Sequence, residues 1–434
     1  MGLKRYLYAA VAFAAMALCL AGCGHEENWD GEYDKVLILY SAGFNSLSEY
    51  MSEDIEDLQS GWLPSKKSHD ILLVISKLTE SAGDYDDQTE PVLFRIYKNP
   101  KSQRPVLDTL YRMEKGTLLA SADVMREFLT EAKTLFPAKS YGMVLSSHGT
   151  GWMPSYYFNN PEKYDGQNIS LWSVGEKDPQ RGGHLYVEPD RDPALPAVKS
   201  VTQEVYISGN KRYSCEVDIQ DFASAFPMHM DYIIFDVCLM GGIEVAWELR
   251  GVTDKIGFCQ SETLASGFDY QNLTERLLRP VTPEPEMVCS DYYETYNAKS
   301  DIYRWATISC VDCTNLEPVA EVCRTLFEKY RTQIASLNGN KVQAYFYDND
   351  KHWHYDLYDI LAKAGADESE LASLQTALDG CVLYNEATPY IYTRKIDTHC
   401  GFSMYLPSMG SSYLDSFYRT LAWNEATELV SDTQ

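Results

Sequence analysis

The stretch Asp231-Tyr232-Ile233-Ile234-Phe235-Asp236-Val237-Cys238-Leu239-Met240-Gly241-Gly242 decides how this chain is read. Its first part, over 232–235, is an unbroken apolar run, the pattern of a strand buried on both faces in a parallel sheet. A Gly-rich turn follows, then a helix carrying Ile243, Ala246, Trp247 and Leu249. Cys238 therefore stands just past the carboxyl end of a strand, where open α/β sheets keep their working residues. Nearness to a helix N-terminus and to an imidazole favours the thiolate, which is the nucleophilic form of cysteine. Taken alone, such a cysteine is more often an inert core residue.

Working outward, an apolar run over 141–146 leads into Ser146-Ser147-His148-Gly149-Thr150-Gly151-Trp152. A histidine leaving a buried strand into a glycine-flanked turn sits at a sheet rim, and Gly149 lets the backbone approach a substrate closely. Further strands are expected over 36–40, 71–75, 92–97 and 255–259, with the one over 92–97 at an edge. Helical patterns lie between them: Leu47, Met51, Ile55 and Leu58 share one face, and Val124, Phe128, Ala132 and Leu135 another, after Ser121 as N-cap and before Pro137. A shorter helix runs through Ile219, Phe222, Ala223 and Phe226. Strands alternating with helices imply a parallel-rich sheet sandwiched by helices, an α/β fold with right-handed crossovers.

The two turns together resemble the clostripain family of cysteine peptidases, which share the caspase-like fold. His148-Gly149 with Gly151-Trp152 matches its histidine turn, and Asp236-Val237-Cys238-Leu239-Met240-Gly241 its cysteine motif. The resemblance runs from about Val36 to Gly401-Phe402-Ser403-Met404-Tyr405-Leu406-Pro407. It implies a catalytic dyad of Cys238 and His148 with no third orienting residue. Acyl transfer needs oxyanion donors, and the backbone amides of Gly149 and Cys238 flank the two side chains. Asp236 projects to the same side of its strand as Cys238. In the family this position contributes to an Arg/Lys pocket, so cleavage after basic residues is expected. Glu262 is the second pocket candidate and Asp269 a third, in the segment Gln260-Ser261-Glu262-Thr263-Leu264-Ala265-Ser266-Gly267-Phe268-Asp269-Tyr270. That segment departs from the more acidic, Trp-bearing version of well-known members, which leaves open a catalytically inactive surface lipoprotein that uses the fold for binding.

Between the two turns lies an insertion over 153–216, rich in Tyr, Gly, Pro and Asp, too long for an ordinary connection. Family members are often activated by cuts in this loop, and it offers Lys163, Lys177, Arg181, Arg191, Lys199, Lys211 and Arg212.

The organisation expected is a signal peptide over 1–22, a tether over 23–34, a catalytic domain over 35–280 and a C-terminal mixed α/β lobe over 281–434. The lobe holds a strand over 306–310, helices over 316–330 and 357–364, and a late buried strand over 402–406. Lys4 and Arg5 precede an apolar run that ends in Leu20-Ala21-Gly22-Cys23, which resembles a bacterial lipobox. Lipid on Cys23 would tether an exported protein to a membrane, and by resemblance to lipoproteins of gut-type Gram-negative bacteria, to the outer membrane. A formal charge of -26 excludes a phosphate-neutralising surface, so nucleic acid is no partner and peptide or protein substrates are. Eleven cysteines leave some disulfide pairing open. Cys310-x-x-Cys313 lacks a second ligand pair, and His352, His354 and Asp356 read as packing residues. No metal or other cofactor is expected.

Overall fold

The computed structural model describes residues 31–431 apart from 82, 159–160, 166–177, 179–180, 182, 187–203 and 347–351. The signal peptide, Cys23, and the insertion residues Lys177, Arg191 and Lys199 lie outside the described residues.

The strands, in chain order, are β1 (Tyr33–Gly43), β2 (Asp70–Leu78), β3 (Val92–Lys98), β4 (Pro105–Arg112), β5 (Ala138–Ser146), β6 (His184–Leu185), β7 (Glu204–Ser208), β8 (Lys211–Cys215), β9 (Met230–Asp236), β10 (Thr253–Phe258), β11 (Thr307–Asp312), β12 (Tyr355–Asp356), β13 (Val382–Ala387), β14 (Tyr390–Ile391), β15 (Arg394–Lys395) and β16 (Ser403–Met404). Nine of them form one sheet in the order β13-β11-β10-β9-β5-β1-β2-β3-β4. Its centre is parallel, from β10 through β9, β5 and β1 to β2, and its flanks are antiparallel. The apolar runs explain this centre, because alternate residues of one strand feed opposite cores. Val36, Ile38 and Tyr40 of β1 enter one core, while Leu37 and Leu39 enter the other.

Three expectations are corrected by the structure. The strand over 92–97 is not at the edge, because β4 pairs outside it. On the helix Ala122–Leu135 the buried face is Met125, Phe128, Leu129 and Ala132, and Leu135 is 39% exposed. At about 100° per residue Leu135 points within about 20° of Val124, roughly 70° from the middle of that face, so both ends of the expected stripe stand at its border. Ser121 is the N-cap, as expected, in extended backbone and without a side-chain cap bond. The late segment 402–406 is buried as expected, but its strand is only β16, which pairs with β12.

Tyr33–Gln434 forms one compact unit. Residues after 280 are mixed α/β, and they share the main sheet through β11 and β13. Every described cysteine carries a free thiol. Cys310 and Cys313 are buried, and no cluster of three metal-ligating side chains occurs among the described residues.

Candidate active site

β5 and β9 are parallel neighbours, with Ser146 paired to Asp236. His148 and Cys238 thus each lie two residues past matched positions on adjacent strands, whose axes run about 4.8 Å apart. The two turns are in direct contact. A Cβ added at Gly149 would lie 2.1 Å from Val237 Cγ1 and 2.4 Å from the Cys238 carbonyl oxygen. Gly151, at φ +69°, would meet the Leu239 carbonyl at 2.5 Å and His354 Cε1 at 3.1 Å. Both glycines are therefore sterically required, which is the physical content of the glycine-flanked histidine motif. His354 packs beneath this turn, and burial lowers its pKa to about 3. Asp356 caps the helix Leu357–Ala364 and accepts from the Tyr345 hydroxyl at 2.7 Å.

The cysteine turn is held by backbone. Leu239, at φ +59°, donates its N–H to Ser261 at 3.0 Å, and Gly241 donates to Cys259 at 2.7 Å. Ser403 N–H donates to the Gly241 carbonyl at 2.7 Å, so the late motif segment stitches the turn from the other side. Glu244, on the helix that follows, accepts from Tyr405 N–H at 2.9 Å and from the Tyr418 hydroxyl at 2.8 Å. Its burial raises that carboxyl to about 7.

The Cys238 thiol is buried, with its sulfur 3.1 Å from the Thr263 N–H and 3.6 Å from the Thr263 carbonyl. An N–H aimed at sulfur stabilises negative charge there. The helix expected to do this starts at Ile243 and is only seven residues long. A helix dipole fades within the first turn, so the backbone of Thr263 is the closer donor. His148 is 7% exposed, and its Nε2 lies 3.0 Å from the Ser46 hydroxyl oxygen. The backbone nitrogen of Cys238 lies 3.3 Å from the position of a Gly149 Cβ, which sets the two candidate oxyanion residues side by side.

Of the pocket acids, Asp236 is completely buried and accepts from the Tyr270 hydroxyl at 2.7 Å. Burial first, then the charges of Asp236 and Asp54, push the Tyr270 phenol well above its usual range. Asp54 was not foreseen, although its signal is present. It is an acid on the apolar stripe of the helix Ser48–Ser60, between Met51, Ile55 and Leu58. Glu262 is buried between Ser261 and Thr263, the residues that bond to Leu239 and to the Cys238 sulfur, and its charge acts on Arg394. Burial holds that guanidinium below its ordinary range, while Tyr355 and Glu262 act against the shift. Asp269 is a helix cap, accepting from Asn272 N–H at 3.2 Å. A hollow of about 20 Å³ beside His148 is lined by Gly151, Val217, Ile219, Phe222 and Met240.

Residues 39–170 and 210–431 match the model of the clostripain family. The chain belongs to the clostripain family. It is a clostripain-like cysteine peptidase, a hydrolase, and both motif turns fall inside the matched residues. Similar solved structures include an inactive zymogen of a protease from Parabacteroides distasonis, at 23% identity and a TM-score of 0.69, covering 92% of this chain and 99% of that one. A secreted cysteine protease from Bacteroides thetaiotaomicron gives 22% identity and a TM-score of 0.68, with coverage of 92% and 99%. The same kind of protein in complex with an irreversible peptide inhibitor gives 21%, 0.68, 91% and 99%. These likenesses show a shared fold, the caspase-like sheet of the clostripain family. Among curated proteins no sequence matches.

Ends of the insertion are anchored near this peptidase's site. Lys77 of β2 and Glu204 of β7 form a fully buried ion pair, and Val205 N–H donates to the Phe44 carbonyl at 3.0 Å. Glu216 accepts from Tyr156 N–H at 2.6 Å, and Asp218 from Ser155 N–H at 2.7 Å. Among the candidate cleavage residues, Lys163 lies in the short helix Pro161–Tyr164, Lys211 and Arg212 lie in β8, and Arg181 donates to the Gly116 carbonyl at 3.3 Å. No described helix is long and apolar enough to cross a membrane.

Proposed function

We propose that this peptidase is an endopeptidase that works through a Cys238–His148 dyad and cuts after basic residues. The observation that carries the reading is the pairing of Ser146 with Asp236, with Gly149 pressed onto the Cys238 backbone. In the reaction the Cys238 sulfur gives its proton to His148 and attacks the substrate carbonyl carbon. The amides of Gly149 and Cys238 receive the oxyanion, each such donor being worth about 3 kcal/mol. As the C–N bond breaks, His148 returns the proton to the leaving amine, and water then hydrolyses the thioester.

Asp236 is the pocket acid on this reading, with Glu262 as second. Peptide substrates are further supported by the peptide inhibitor bound to the Bacteroides thetaiotaomicron protein. The burial of Cys238 suits a precursor, and an inactive zymogen stands among the similar structures. Cutting within 153–216 is then the activating step. Export with lipid on Cys23 and an outer-membrane address completes the proposal, supported by the lipobox sequence and by a secreted relative.

The test is hydrolysis of fluorogenic peptides varied at the residue before the cut. Wild type is expected to cleave Arg and Lys members, Cys238→Ala and His148→Ala to lose at least about 10³-fold in kcat/KM, and Asp236→Asn to lose the preference for basic residues. Full activity in Cys238→Ala removes the dyad. A flat response across the panel removes the specificity alone.

A further inference from the structure

The dyad reading calls for no third residue, yet the structure sets a hydroxyl beside the His148 ring from a segment about a hundred residues upstream in the chain. Ser46 sits in the turn after β1, and its hydroxyl oxygen lies 3.0 Å from His148 Nε2. That turn is built to stay in place. Asn45 accepts from Leu47 N–H at 2.9 Å and donates from Nδ2 to the Ala42 carbonyl at 3.1 Å, which brackets Ser46 on both sides. The Ser147 hydroxyl donates to the same Ala42 carbonyl at 2.9 Å, tying the histidine turn to the Ser46 turn independently of the His148 ring. Val205 N–H, returning from the insertion, closes on Phe44 next door.

Resting on the dyad reading above, we propose that Ser46 is the positioning residue for His148, holding Nε2 as the protonated nitrogen so that Nδ1 is the base toward Cys238. A neutral imidazole carries one N–H, and the other nitrogen keeps the lone pair. With Nε2–H donated to the Ser46 oxygen, the lone pair resides on Nδ1. When the Cys238 proton moves to Nδ1, the Nε2–H···O bond gains a charged donor and strengthens, which stabilises the imidazolium. The proton on Nδ1 then goes to the leaving nitrogen as the C–N bond breaks. Ser46 keeps its own proton throughout and touches no reacting atom.

Ser46 is exposed, so its replacement leaves the core intact. The full-length protein, first cut within 153–216 by an added serine protease that is then inhibited, is assayed as wild type, Ser46→Ala and Ser46→Thr, with Cys238→Ala as control, on one Arg peptide across a range of pH. Ser46→Ala is expected to lower kcat/KM about five- to tenfold, the worth of one such hydrogen bond. Its acid limb is expected at lower pH, because an imidazolium without its acceptor loses the proton sooner and the neutral base persists to lower pH. Ser46→Thr keeps the hydroxyl and is expected to restore both the rate and the limb. An unchanged or higher rate in Ser46→Ala overturns the proposal, as does a loss that threonine does not rescue. If wild type hydrolyses no better than Cys238→Ala, the dyad itself fails, an outcome the control separates from a failure of Ser46 alone.

Discussion

The two motif turns, around His148 and Cys238, and the base of the insertion are held by different chemistry. The turns are fixed by main-chain bonds and steric fit: Leu239 to Ser261, Gly241 to Cys259, Ser403 to Gly241, and glycine against backbone at Gly149. The insertion adds carboxylates to its main-chain bonds, with Glu204 on Lys77 and, at its end, Glu216 and Asp218 on the amides of Tyr156 and Ser155. Main-chain bonds do not titrate, whereas carboxylates do.

The comparison is broken most severely at Gly149. Gly149→Ala is expected to drop kcat/KM by at least about 100-fold, because the methyl displaces the Cys238 backbone and spoils one oxyanion donor, and steady-state kinetics alongside a melting curve check it. Next comes the buried ion pair, where Glu204→Gln leaves the Lys77 ammonium unpaired and is expected to cost about 3–5 kcal/mol in denaturant unfolding. The smallest effect is that of Glu216, whose carboxyl burial raises to about 7 from a usual 4.5. Between those values the unfolded chain ionises while the folded one keeps its proton. Stability contributed at this site therefore falls as pH rises from 4.5 to 7, the reverse of a salt-bridged acid. Glu216→Gln is expected to flatten that slope in stability measured against pH, and an unaltered slope would assign the titration to another group.

Much of the parallel centre of the fold was legible because each strand is buried on both faces and so reads as an uninterrupted apolar run, as in 36–40 and 232–235. β4 escaped notice because every one of its residues is exposed or half exposed, giving no such run. The helix face through Phe128 was misjudged by choosing Val124 over Met125, two apolar neighbours that period alone separates poorly. The two motif turns, around His148 and Cys238, were legible because strand, turn and glycine occur together in each. Tyr270 and Thr263 were not, since a tyrosine or threonine carries no mark of what it touches. Asp54 carried a mark, an acid among Met51, Ile55 and Leu58, that points to a buried charge without saying whose.

By itself the sequence determined the family, the two motif turns and the buried strands that end at them, because these depend on local pattern and on spacing along one segment. Only the tertiary structure decided what surrounds those side chains. Thr263 at the sulfur, Ser46 at the imidazole, Tyr270 on Asp236 and Glu204 on Lys77 join segments far apart in the chain. Such contacts are set by strand order across the sheet, and that order is a property of packing in three dimensions which no single stretch of residues encodes.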